Sequence, residues 1–129
     1  MGLVSPKSNL DLEKIVETIM SETNNKFEVF GTDITKDEVE ANRSFFIYDP
    51  FGDLSPAESP KQWKQEFLLS FVTREDQRLS TDTIFKLKDG LRRCRLYFDS
   101  TESDYGRMAD SDQQARMLTL YFHSIVKEC

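Results

Sequence analysis

QARMLTLYFHSIV, residues 114–126, alternates with a period of two. Gln114, Arg116, Leu118, Leu120, Phe122, Ser124 and Val126 share one parity, and Ala115, Met117, Thr119, Tyr121, His123 and Ile125 the other. Successive side chains of a strand point to opposite faces, so Leu118, Leu120 and Phe122 form an apolar face and the other parity an amphipathic one. A strand of this length in a chain without a catalytic motif predicts a small β-rich scaffold that works by docking.

Working outward from that strand, Cys94 to Ser100 reads as another, with Cys94, Leu96 and Phe98 alternating against Arg95, Tyr97 and Asp99. The polar stretch Thr101 to Asp112 between the two reads as a long loop. Upstream, Ser80 or Thr81 caps a helix whose stripe is Ile84, Leu87 and Leu91, helped by Phe85, with Gly90 late in it or breaking it. Gln62 to Arg74 is a long strand with Trp63, Gln65, Phe67, Leu69 and Phe71 on one face. Its second half is apolar on both faces, which predicts that one end emerges from the sheet. The run Phe45-Phe46-Ile47-Tyr48 within Arg43 to Tyr48 is apolar on both faces, as an interior strand requires.

Between those two strands, Asp49 to Pro60 holds Pro50, Pro56, Pro60 and Gly52 and reads as a loop exposing Phe51 and Leu54. Lys26 to Thr32 is a further strand, and Asp33 to Asn42 a loop or helical turn. The first helix carries Leu12, Ile15, Val16, Ile19 and Met20 at helical spacing, with Ser8 or Asn9 as its cap and Thr23-Asn24-Asn25 ending it. Met1 to Lys7 reads as a loose arm, and residues 8–129 as a single domain. The order α-β-β-β-α-β-β predicts an α+β fold: one mixed or antiparallel sheet of about five strands with two helices on one face. The helix between the third and fourth strands makes a right-handed crossover if those strands are parallel.

The bulk numbers agree with one domain. A chain of 129 residues buries roughly two-thirds of its unfolded surface. Ten Phe, four Tyr and Trp63 supply much of the core, since each aromatic buries a large area. The net charge of -6 argues against tight wrapping of nucleic acid, which needs a basic footprint. Cys94 and Cys129 cannot build a disulfide framework, which predicts a reducing compartment. No apolar run is long enough for a membrane-spanning helix or a signal peptide, so a soluble intracellular protein is expected. The start MGLVSP has Pro6 where a myristoylation signal wants Ser or Thr.

No phosphate-binding loop, nucleophile elbow, dinucleotide fingerprint or zinc-protease motif occurs. Asp99, Glu102, Asp104, Asp110 and Asp112 are acidic enough for a cation loop, but the alternate spacing, central Gly and closing Glu of a calcium loop are missing. His123 is the lone histidine and reads as a surface or interface residue. Enzyme activity, a metal or another cofactor is therefore not expected. Arg92, Arg93 and Arg95, with Lys86 and Lys88 upstream, concentrate positive charge where it opposes a helix dipole or serves an interface. Phe51 and Leu54 either pack on their own domain or anchor a neighbour.

Taken together, the helix Leu12 to Met20, the run Phe45-Phe46-Ile47-Tyr48, the strand Trp63 to Thr73, the helix Thr83 to Arg93, the segment Cys94-Arg95-Leu96-Tyr97-Phe98-Asp99 and the strand Met117 to Val126 resemble the tail-completion proteins of long-tailed bacteriophages. That group includes tail terminators and tail-to-head joining proteins. It has no diagnostic short motif, and the loop Asp49 to Pro60 departs from its pattern. The resemblance implies a virion protein at the head-proximal end of the tail, assembled in the host cytoplasm. It implies a ring, commonly of six copies, that caps the tail tube and presents a surface to the head connector. Partners would be other copies, the major tail tube protein and the head-completion protein, with DNA passing through the channel unbound. Interface candidates are Phe51, Leu54, Arg92, Arg93, Arg95, Asp104 and Arg107, chosen by loop position and charge. Two other classes are weighed beside it: a small acidic module that masks a basic partner, and a hydrolase needing two converging carboxylates.

Overall fold

The computed structural model describes residues 10–75, 78–107 and 114–128, with the backbone alone at 105–107 and 114. Its elements are α1 (Leu12–Glu22), β1 (Glu28–Phe30), α2 (Lys36–Ala41), β2 (Ser44–Asp49), β3 (Leu54–Pro56), β4 (Gln62–Thr73), α3 (Thr81–Arg92), β5 (Tyr97–Arg107) and β6 (Gln114–Lys127). The strands make one mixed sheet in the order β1-β2-β4-β6-β5, with β3 on the same edge of β4 as β2. The α+β class and single mixed sheet are as the sequence predicts, with six strands and three helices in place of five and two.

Local chemistry explains each helix start. Asp11 caps α1 in an extended conformation, its carboxylate accepting from the Lys14 amide at 3.2 Å. The cap is therefore Asp11, and Ser8 and Asn9 lie outside the described residues, as do Met1 to Lys7. Asn24 and Asn25 both adopt positive φ in the turn after α1, a region that asparagine tolerates better than most residues. α2 begins with a capping box: Thr35 accepts from the Glu38 amide while Glu38 accepts from the Thr35 amide. Ser80 caps α3, and its hydroxyl accepts from Thr83.

Four expectations are corrected. The proline-rich stretch contains β3, because Leu54, Ser55 and Pro56 pair with Gln65, Lys64 and Trp63. Thr101 to Arg107 is strand, continuing β5 opposite Leu120 to Gln114. Its side chains are polar because β5 is an edge strand with less to bury. The same chain departs from strand geometry at Arg95 (φ 66°), so β5 starts at Tyr97 and not at Cys94. β4 does not emerge from the sheet. All of it pairs with β6, and its other edge is shared by β2 and β3.

β4 and β5 are both antiparallel to β6, so they run parallel to each other with β6 between them. α3 makes the crossover and packs beside α1 over one face of the sheet. There Phe46, Phe67, Leu69, Phe71, Leu120 and Phe122 meet Ile15, Ile19, Leu87, Leu91 and Leu96, all at most 2% exposed. Burial of each such side chain stabilises by about 1.5–3 kcal/mol before entropy is counted. Phe67 and Phe122 meet edge to face at 6.4 Å, and Phe27 meets Phe71 likewise at 4.9 Å. Gly90 lets the helices close up: a Cβ there would stand 2.9 Å from Thr18 Cγ2. Gly90 is thus a buried helical position, not a break.

Candidate interaction surface

The other face of the sheet is where the chain has chemistry to offer. Strand register sets its rows. Phe45, Val72, Met117 and Asp104 lie side by side, then Ile47, Ser70, Thr119 and Glu102, then Asp49, Leu68, Tyr121 and Ser100, then Glu66, His123 and Tyr97. α1 and α3 cover the opposite side. Short α2 is tied to the end of β4 by Arg74, whose guanidinium donates to the carbonyls of Val39 and Asn42. Phe45 and Val72, near that end, are buried. Across the sheet in the same row Met117 is 38% exposed, and at the other end of the face Tyr97 is 41% exposed. Ile47, Leu68, Tyr121, His123 and Ile125 are half-buried.

A β-bulge shapes this face. The β5–β6 register slips between Phe98 and Ser100, leaving Asp99 as an extra residue. Its carboxylate turns onto the open face and accepts from His123 Nδ1 at 2.9 Å. Tyr97 lies against the same imidazole, ring centres 5.5 Å apart. Tyr121 donates its hydroxyl to Glu102 at 2.9 Å, which holds the phenol above its ordinary pKa. Glu66, opposite His123, has its carboxyl pushed up first by burial and then by the charges of Asp53, Asp99 and Asp49. The open face thus carries crowded carboxylates among exposed and half-buried aromatic and aliphatic groups.

The candidate residues fall into three separate places. Phe51 and Leu54 are 75% and 58% exposed on the segment that flanks the first half of β4. Gly52 enables that segment to lie close: its amide donates to Glu66 O at 2.9 Å, and the Glu66 amide donates to Asp53 O at 3.0 Å. Arg92, Arg93 and Arg95 do cluster, at the end of α3 and the turn after it, all exposed. Asp104 and Arg107 lie toward the far end of β5, paired with Met117 and Gln114. The structure therefore does not gather the seven into one patch. Sequence reasoning missed Glu66, Asp53 and Tyr97, because neither the β3–β4 pairing nor the bulge leaves a periodic signal.

Among the described residues the cysteine and the histidine do not meet. Cys94 is buried on the helical side with its sulfur 3.5 Å from Thr18 Oγ1, whereas His123 is on the open face. Asp110, Asp112 and Cys129 lie outside the described residues. Among the described residues no three of His, Cys, Asp and Glu are grouped to hold a metal ion. A cleft of about 230 Å³ between α3 and the sheet is lined by Phe71, Leu79, Ile84 and Leu118, with Arg78, Asp104 and Arg116. No described helix is long and apolar enough to cross a membrane.

No family model matches the chain, and no curated protein does. Among solved structures, a chain of the virion of a native gene transfer agent particle shares the fold, with a TM-score of 0.50 and 11% identity. The superposition covers 92% of this chain and 96% of that one. At that identity the likeness is one of fold.

Proposed function

We propose that this chain is a structural protein of a phage-type particle: a tail-completion subunit that forms a ring on the finished tail tube and meets the head connector. The observation that carries the reading is the fold shared, nearly end to end on both sides, with a chain of a gene transfer agent virion. The open sheet face supports it, since apolar side chains on an uncovered sheet are surface that docking buries. The ring would stop tube growth and offer a new interface on its other side, with DNA passing through unbound. A net charge of -6 suits such a channel. Electron microscopy of particles lacking the protein tests this. Overlong tails identify a terminator and normal tails detached from heads a joining protein, whereas unaltered particles reject both.

A second reading, an acidic module that masks a basic partner, is favoured by the carboxylates around Glu66. Affinity capture that recovers one basic enzyme and no tail or capsid protein would select it.

A further inference from the structure

The open sheet face and the cationic end of α3 are complementary in charge and lie on opposite sides of one sheet. Arg92 ends α3, Arg93 is its C-cap, and Arg95 holds a left-handed backbone in the next turn. Arg93 reaches Glu22 at 3.5 Å. Arg92 and Arg95 have no ion-pair partner within 4.0 Å among the described residues. Three exposed arginines so close together are notable in a chain with 17 cations against 23 acids.

The face across the sheet has the opposite need. Glu66 is crowded by Asp49, Asp53 and Asp99 with one histidine among them, a repulsion that an external cation relieves. Tyr97, exposed in the same row as Glu66 and His123, supplies apolar area for the stem of a long cationic side chain.

We propose that the Arg92–Arg93–Arg95 end of one copy docks on the open sheet face of the next copy, against Glu66 and Asp53. The occupant is a second copy of this chain. Because the two surfaces differ, the contact is heterologous, and repeated head to tail it closes into a ring when the rotation allows. This inference rests on the ring reading and adds which surfaces join.

Charge reversal tests it on the full chain. R92E/R93E makes the helix end acidic, and D53K/E66K makes the open face basic. Sedimentation of the wild type at about 50 mM salt, where screening is weak, gives the reference assembly. Each variant alone is expected to lose association roughly tenfold or more, and an equimolar mixture to recover it. In the mixture the acidic end of one variant meets the basic face of the other, and the remaining two surfaces are native. Circular dichroism checks that each variant is folded. Should E66K perturb β4, D53N/E66Q mixed with R92Q/R93Q gives the control: each alone loses association, and mixing restores pairs through the one native contact but no larger assembly. If wild type assembles and both charge-reversed variants assemble equally well, or if the mixture stays dissociated, the docking is wrong and the ring stands. A wild type that remains monomeric at every concentration, alone and with tail tubes, overturns both.

Discussion

Asp99 and His123 are joined across a register slip: the residue that the β5 bulge leaves unpaired holds the imidazole of the neighbouring strand, 2.9 Å from Nδ1 to either carboxylate oxygen. The bulge and the hydrogen bond are therefore one device that fixes the edge of the open face. With the Asp99 side chain 46% exposed, solvent screens much of the attraction. A double-mutant cycle of Asp99→Ala and His123→Ala in urea is expected to give a coupling of about 0.5–1 kcal/mol. Additive effects would mean that the pair is an ornament of the bulge and not its fastening.

Glu66 makes stability depend on pH in a definite direction. Its folded pKa is raised above the unfolded value, by burial first and by Asp53, Asp99 and Asp49 next. The native state therefore binds this proton more tightly than the unfolded chain does. The stabilisation is full below the ordinary carboxylate range and is lost as pH rises through the folded pKa. Glu66→Gln removes that dependence. The variant should gain on wild type between pH 4 and pH 7 in parallel thermal melts, and a constant difference would contradict the assignment.

At Gly90 two rules oppose each other. Ala is about 1 kcal/mol better than Gly inside a helix. Here the added Cβ would lie 2.9 Å from Thr18 Cγ2 and 3.1 Å from Glu22 Cγ on α1. Thr18 cannot easily yield, since its hydroxyl donates to the Lys14 carbonyl at 2.7 Å and its χ1 is stiff. Gly90→Ala is expected to cost about 1–2 kcal/mol by chemical denaturation, the overpacking outweighing the propensity. A stabilised variant would show that the helices can part freely.

Gly52 faces a firmer wall. A Cβ there meets Glu66 Cβ and Leu68 Cδ1 at 2.8 Å and the Glu66 carbonyl oxygen at 3.0 Å. Gly52→Ala should therefore lift the Phe51–Leu54 segment off β4, with a loss of about 1–3 kcal/mol. Faster hydrogen exchange at the Gly52 and Glu66 amides, whose bonds cross that seam, is the local readout. Unchanged exchange would show that the contact is not needed.

What the sequence made legible was what burial imposes. The stripe Ile15–Ile19, the doubly apolar run at Phe45–Phe46 and the alternation of β4 and β6 are all consequences of packing, and all appear where expected. The polar edge was not legible. Thr101 to Arg107 buries little, so nothing in its composition separates strand from loop, and only pairing with β6 makes it β. β3 hid behind its prolines, although Pro56 is tolerated on an edge. The signal for α2 was present in Thr35-Lys36-Asp37-Glu38, a capping box without a long apolar stripe behind it. The arginines at the end of α3 were visible as a cluster. Their acidic counterpart was not, because Asp53, Glu66 and Asp99 meet only through strand pairing and a bulge.

The position of β6 governs how the molecule comes into being. Synthesis runs from the N-terminus, so β4 and β5 exist before the strand that separates them, and neither can pair with the other in its native register. Until residues 114–127 are made, a gap one strand wide divides the sheet, and two ladders of twelve and ten residue pairs wait on it. Such long-range closure is slow to form. A half-made chain therefore presents neither the finished acidic face nor a closed core, and only completed molecules carry the whole surface.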